Sequence, residues 1–135
     1  MHEHGELLLI EDDDAMRAAV ERILRSAGHE VRAFASAEAL LSALQGQPLW
    51  PGIACGICDV RLPGACGFEL QRALAARGPA PAWIFTTAHD EPAFRERAQR
   101  MQASYLPKPF DGRTLLALVA RALSQGAGRA TPQAN

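Results

Sequence analysis

The chain has 135 residues, one domain by the usual prior of roughly 150 residues per domain and long enough to bury a core. Fourteen Lys and Arg oppose fifteen Asp and Glu for a net charge of −1, so a bulk basic surface for nucleic acid is excluded. The apolar runs are a handful of residues long, against the ~20 that a membrane helix needs. The segment Met1-His2-Glu3-His4-Gly5-Glu6 carries neither the basic nor the apolar region of a secretory signal, so the cytoplasm is the expected location.

Leu7-Leu8-Leu9-Ile10 is a continuous apolar run, the pattern of a strand buried on both faces of a parallel sheet. From Met16 the period becomes helical, with Met16, Val20, Ile23, Leu24 and Ala27 on one stripe and Arg17, Glu21, Arg22 and Arg25 opposite. Asp13 or Asp14 caps this helix and Gly28 supplies a left-handed residue at its end. His29 to Phe34 reads as a second strand, and Ser36 caps a helix bearing Leu40, Leu41 and Leu44. Gln45 to Gly52 is a loop, Ile53 to Cys58 a third strand ending at Asp59, and Leu62 to Gly67 a second loop before a helix carrying Phe68, Leu70 and Leu74. Ala82 to Phe85 is a fourth strand ending at Thr86-Thr87, and Pro92 opens a fourth helix after Asp90 or Glu91. Tyr105-Leu106 is a short fifth strand before Pro107-Lys108-Pro109-Phe110. Asp111 caps a last helix with Leu115, Leu118, Val119, Ala122 and Leu123 on its buried stripe, closing at Gly126, and residues 125–135 read as a flexible tail or a truncated linker. Five β-α alternations predict a doubly wound parallel sheet covered on both faces.

In such a sheet ligands bind beyond the carboxyl ends of the strands. The first strand ends in Glu11-Asp12, the third in Asp59 and the fourth in Thr86, and the fifth runs into Lys108. The near-neutral balance hides this placement, because four acids stand together at Glu11-Asp12-Asp13-Asp14 while Lys108 is the only lysine beside thirteen arginines. Carboxylates brought together repel unless a cation neutralises them, and an all-oxygen set suits Mg²⁺. A hydroxyl and an ammonium opposite them suit phosphoryl oxygens, and a carboxylate is itself a competent phosphoryl acceptor. Asp13 and Asp14 are also explained by the preference of a helix N-terminus for carboxylates, which leaves Glu11 and Asp12 for the site.

The motifs Leu-Ile-Glu-Asp-Asp at 9–13, Cys-Asp-Val-Arg-Leu-Pro at 58–63 with Gly67, Phe-Thr-Thr-Ala at 85–88 and Tyr-Leu-Pro-Lys-Pro-Phe at 105–110 together resemble the response-regulator receiver domains of bacterial two-component signalling. The resemblance covers about Leu7 to Leu123, so the receiver domain is set at 1–124. It implies a flavodoxin-like (βα)5 fold with strand order 2-1-3-4-5. By position, Asp59 resembles the phosphoacceptor that attacks the phosphohistidine of a sensor histidine kinase or phosphotransfer protein. Asp12 resembles the direct Mg²⁺ ligand, Glu11 its water-mediated neighbour, and the backbone carbonyl of Arg61 a further ligand. Thr86 and Lys108 match the groups that receive the phosphoryl oxygens, with a cis bond between Lys108 and Pro109. Thr86 and Tyr105 match the switch pair that remodels the face of the fourth helix, fifth strand and fifth helix. The resemblance implies a downstream effector protein or domain, homodimerisation on phosphorylation, and no turnover enzyme, nucleic-acid contact or membrane contact through this domain. A receiver-shaped interaction module acting without phosphorylation is the alternative. A phosphatase with an aspartyl nucleophile is disfavoured, because it needs an aspartate two residues on, where Arg61 stands.

Four positions depart from the family pattern: Glu11 for the commoner Asp, Thr87 for a smaller residue that leaves more room at the acyl phosphate, Arg61 with a long cationic side chain beside the site, and Met101 for a glycine. Three cysteines within one short stretch are no disulfide framework. Cys55-Gly56-Ile57-Cys58 matches C-x-x-C, but odd spacing on a strand sends the thiols to opposite faces, which predicts buried structural cysteines. His89 reads as a solvated loop residue, His2 and His4 as disordered, and Trp50 and Trp83 as packing residues.

Overall fold

Short apolar strands that cannot satisfy their backbone alone pair side by side, and here five of them do so in parallel. In a computed structural model that describes residues 5–130, with side chains through residue 125, the strands are β1 (Glu6–Ile10), β2 (Glu30–Phe34), β3 (Ile53–Asp59), β6 (Ala82–Thr87) and β7 (Ser104–Pro107). Their order is β2-β1-β3-β6-β7, the predicted 2-1-3-4-5 once a two-stranded ribbon is set aside. That ribbon, β4 (Arg61–Leu62) and β5 (Ala65–Cys66), occupies the expected loop after Asp59. It forms because Gly64 takes a positive φ of 67° and turns the chain back on itself.

The helices are α1 (Asp14–Ser26), α2 (Ala37–Leu44), α3 (Gly67–Ala75), α4 (Pro92–Arg100) and α5 (Gly112–Ala130). Their starts follow local chemistry. Asp13, Ser36 and Asp111 each accept the backbone N–H three residues on, at 2.8, 3.0 and 2.8 Å. Gly28 has φ 95°, as its place after α1 requires. Ala27, expected on the buried stripe, is instead the exposed C-cap. The last helix does not close at Gly126 but runs to Ala130; Gly126 and Gly128 each cost the helix only about 1 kcal/mol, and Pro132 is the first proline after it. Residues 131–135, His2 and His4 lie outside the described residues.

Each face of the sheet carries its own core. Leu7, Leu9, Cys55, Ile57, Ile84 and Leu106 point to α1 and α5, meeting Val20, Leu24, Leu115 and Val119. Leu8, Ile10, Cys58, Trp83 and Phe85 point the other way, to Leu40 and Leu44 of α2, Phe68 and Leu74 of α3 and Ala98 of α4. Cys55 and Cys58 therefore lie in different cores, and burial pushes the Cys55 thiol up to about 12 and the Cys58 thiol well above its ordinary value. Neither is a nucleophile or a metal ligand at neutral pH. Trp50 stacks on Phe34 and Trp83 on Phe85, at 6.0 and 5.9 Å between centroids. Among the described residues no helix is long and apolar enough to cross a membrane.

Trp83 lies across its neighbour strand because Gly56 has no side chain there. A Cβ at Gly56 would stand 2.5 Å from Trp83 Cζ3. Gly56→Ala is expected to destabilise the fold by about 1–3 kcal/mol, lowering the urea midpoint at unchanged m. Gly52→Ala, where nothing lies within 4 Å of the added carbon, should stay within ~0.5 kcal/mol of wild type.

Candidate functional site

Because β2 and β3 flank β1 on opposite sides, the chain reverses its winding direction there, and the crevice at the carboxyl ends of β1 and β3 is the switch point of the sheet. Glu11 and Asp12 follow β1, and Asp59 ends β3. Carboxylate oxygens of these three residues lie within 4.8 Å of one another, Glu11 and Asp59 buried and Asp12 exposed. Asp59 stands in register with Thr86 of β6, so the two side chains are neighbours on one face.

Lys108 enters from beyond β7. Its backbone N–H donates to the Thr87 carbonyl at 2.7 Å, and the Lys108–Pro109 peptide is cis. Its ammonium donates to Glu11 Oε1 at 2.7 Å and to Asp59 Oδ2 at 3.0 Å. Three carboxylates and one ammonium leave two negative charges at the crevice, which a divalent cation balances. Oxygen donors, net charge and the exposed side at Asp12 therefore fit a hard divalent metal.

The electrostatics of the pair are asymmetric. Burial pushes the Glu11 carboxyl up, and the Lys108 ammonium and the Asp13 N–H at 3.0 Å only partly offset it. For Lys108, burial opposes the charge, but the hydrogen bonds it donates to Glu11 and Asp59 outweigh it and hold the ammonium above its ordinary value. Arg17, placed on the solvent stripe of α1, reaches back to donate to the Glu11 carbonyl at 3.0 Å and to Asp14 at 2.7 Å.

The ribbon sets the other wall. Gly67 donates its N–H to the Val60 carbonyl at 2.7 Å, and a Cβ at Gly67 would sit 2.4 Å from the Asp59 carbonyl oxygen; only glycine lets α3 start this close to the end of β3. The Arg61 backbone N–H makes a long contact of 3.4 Å to Asp59 Oδ1. Its side chain does not cover the site: the guanidinium bonds Glu91 Oε2 at 2.8 Å and lies 5.6 Å from the Phe94 ring centre.

Thr87 also departs from expectation. It is fully buried on the opposite face from Thr86, where its hydroxyl accepts from His89 N at 2.9 Å and donates to His89 O at 3.2 Å. It ties down its own loop and does not narrow the approach to Asp59. His89 takes part through its backbone. The left-handed turn after α4 falls on Gln102, with φ 59°, and Met101 is the C-cap.

Tyr105 is in register with Phe85. Its hydroxyl donates to Asp90 Oδ1 at 3.0 Å, and Arg95 both bonds Asp90 at 2.8 Å and lies 4.8 Å over the ring. Burial, then the bond to Asp90, raises the Tyr105 hydroxyl above its ordinary value. Sequence reasoning missed Asp90, Glu91 and Arg95 as a set. Their only signal was an acidic pair followed by arginines in α4, which reads equally as a solvated helix face.

Comparison with known proteins bears on the same residues. Residues 7–120 match the response regulator receiver domain family. The chain is 41% identical over 120 residues to the transcriptional regulatory protein FixJ of Azorhizobium caulinodans, covering 88% of this chain and 55% of FixJ. It is 39% identical over 118 residues to the response regulator protein FleR of Pseudomonas aeruginosa, covering 87% of this chain and 24% of FleR. It thus spans about half the length of the first relative and about a quarter of the second. A response regulator receiver protein from Burkholderia phymatum superposes with a TM-score of 0.73 at 37% identity, over 88% of this chain and 95% of that one.

The ion pairs make a pH prediction with a definite sign. Because the folded-state value of Lys108 is raised, its contribution is fully present below 10.5 and is lost as pH rises through the raised value. Lys108→Met should abolish that alkaline loss. It should also push the Glu11 carboxyl further up, because the ammonium that lowers it is gone, read from the Glu11 carboxyl carbon in an NMR titration. A Glu11 titration unmoved by the substitution would show that the ammonium does not hold the cluster together.

Proposed function

The chain belongs to the response-regulator receiver family of two-component systems, and from that premise we propose that it is a phosphoacceptor switch whose acceptor is Asp59. The observation that carries the proposal is the buried Asp59 carboxylate, bonded to the only lysine of the chain and set beside two further carboxylates. An Asp59 oxygen attacks the phosphorus of a phosphohistidine on a sensor kinase or phosphotransfer protein. The new O–P bond forms as the P–N bond breaks, and the electron pair of that bond stays on the imidazole nitrogen.

Asp12, Glu11, Asp59 and the backbone carbonyl of Arg61 would hold Mg²⁺. When bound, Mg²⁺ supplies charge neutralisation at the acceptor and the phosphoryl oxygens. Lys108 is already within reach of Asp59, so its ammonium passes to the phosphoryl oxygens without a large excursion. The Thr86 hydroxyl, in register with the acceptor, donates to another of them. Thr86 is drawn toward Asp59, and Tyr105 leaves Asp90 for the space behind it, remodelling the face of α4, β7 and α5. That face addresses a downstream effector protein or an attached domain, or a second copy of the chain, in the cytoplasm. The chain performs no turnover on a small substrate; its own chemistry is phosphoryl acceptance and slow loss of the group to water.

Incubation with radiolabelled acetyl phosphate and Mg²⁺ should add one acid-stable, base-labile phosphoryl group per chain. Asp59→Asn should reduce labelling to background while leaving the thermal unfolding transition in place. Labelling of Asp59→Asn at the wild-type rate would refute the assignment. Absence of labelling in the wild type at millimolar Mg²⁺ would favour an interaction module that works without phosphorylation.

A further inference from the structure

Among the described residues the buried polar and charged ones are Glu11, Asp59, Thr86 and Thr87. The first three belong to the crevice, and Thr87, at 0% exposure, is the one that the proposed chemistry leaves unused. Its main chain is fixed. The Thr86 carbonyl accepts from the Val60 N–H at 2.8 Å and the Thr87 carbonyl from the Lys108 N–H at 2.7 Å, so β6 is held on both sides up to its last residue. Beyond that point Ala88, His89 and Asp90 make no backbone–backbone hydrogen bond among the described residues. The Thr87 side chain holds them instead. Its hydroxyl accepts from the His89 N–H at 2.9 Å and donates to the His89 carbonyl at 3.2 Å. A β-branched side chain in a packed site has little freedom to turn away, and a buried hydroxyl parted from its partner is costly. The other anchors of this loop, Asp90 to Tyr105 and Arg95 and Glu91 to Arg61, are exposed and exchange for water at little cost.

In the phosphoacceptor reading Thr86 moves toward Asp59 and Tyr105 leaves Asp90. Residues 87–89 join those two points, so their path changes with the switch. We propose that the Thr87 hydroxyl is a positioning group that opposes this change, holding the loop between β6 and α4 in its resting arrangement. The proposal rests on the phosphoacceptor reading and adds a brake to it. A ligand of the switched arrangement binds more weakly by whatever the resting arrangement is favoured, so the two Thr87–His89 bonds set part of what a phosphoryl group must overcome. Thr87 acts here through the loop; it touches neither Asp59 nor the groups around it.

The test titrates the ¹⁵N-labelled full chain with beryllofluoride, which mimics a phosphoryl group on a carboxylate, in millimolar Mg²⁺, following the Thr86 and Ala88 amides. Thr87→Val keeps the shape of the side chain and removes the hydroxyl, and it should lower the apparent Kd about three- to tenfold. Thr87→Ser keeps the hydroxyl and loses the methyl group, and it should bind as wild type does. A packing role reverses that order. Without ligand, the His89 amide should exchange with water faster in Thr87→Val and not in Thr87→Ser. If Thr87→Val folds poorly, Thr87→Ala against Thr87→Ser isolates the same hydroxyl and carries the same expectation. Equal or weaker binding by the variant lacking the hydroxyl, an equal gain in Thr87→Ser, or His89 exchange that ignores the hydroxyl would overturn the proposal alone. Failure of the wild type to bind beryllofluoride would instead sink the phosphoacceptor reading, and the brake with it.

Discussion

One ammonium is shared by two carboxylates that would otherwise repel each other inside the protein. Lys108 Nζ lies 2.7 Å from Glu11 and 3.0 Å from Asp59, and those residues come from opposite sides of the switch point between β1 and β3. Without a cation there, the two buried acids would carry both their desolvation and their mutual repulsion. With it, the crevice is stable enough to fold yet still short of neutral by two charges once Asp12 is counted. That remainder suits the crevice to a divalent cation and, in the proposed function, to a phosphoryl group. The same contacts therefore hold the carboxyl end of the sheet together and leave it the charge that the proposed chemistry needs.

The backbone delivers these groups with little freedom. Asp59 and Thr86 are opposed by strand register, Lys108 is tethered by its own N–H to the Thr87 carbonyl, and Gly67 brings α3 against the Asp59 carbonyl. Each is a main-chain constraint, so the side chains are positioned by rigid elements and not by the loops that carry them. Thr87 illustrates the division of labour. Adjacent in sequence to Thr86 but on the other face, it spends its hydroxyl on the His89 backbone and secures the turn above the site.

Much of this was legible from the residues. Apolar runs of strand length ending in acids, a hydroxyl and a lone lysine place Glu11, Asp12, Asp59, Thr86 and Lys108 at one edge of the sheet. Strand parity placed Cys55 and Cys58 in separate cores. What could not be read were contacts between side chains far apart in sequence. Arg61 bonds Glu91, 30 residues on, and Tyr105 bonds Asp90, 15 residues back; long flexible side chains choose such partners by tertiary proximity, and neither periodicity nor local propensity encodes that. The end of α5 was misjudged for a different reason. Glycine is a common helix stop, but Gly126 and Gly128 each weaken the helix by only about 1 kcal/mol, and Ala127, Arg129 and Ala130 are helix formers.

The same long-range contacts explain why α4 is the element suited to move. Its only fully buried side chain is Ala98, with Phe94 and Met101 partly covered, so little apolar burial holds it in place. What ties it to its surroundings is polar: Arg61–Glu91 at its start, Arg95–Asp90 beside Tyr105, and Arg97–Glu69 toward α3. These pairs are solvent-exposed and are worth at most about 1 kcal/mol each. Three exposed ion pairs orient a helix without committing it, and local opening draws on such low-stability elements. In the proposed switch, a charge change at Asp59 reaches this helix through two contacts. Arg61 is two residues from Asp59 and grips the Glu91 N-cap of α4, and the Tyr105 hydroxyl donates to Asp90, the partner of Arg95. The core on the α1–α5 face, by contrast, contains Leu7, Leu24, Leu115 and Val119 at zero exposure, burial that α4 lacks.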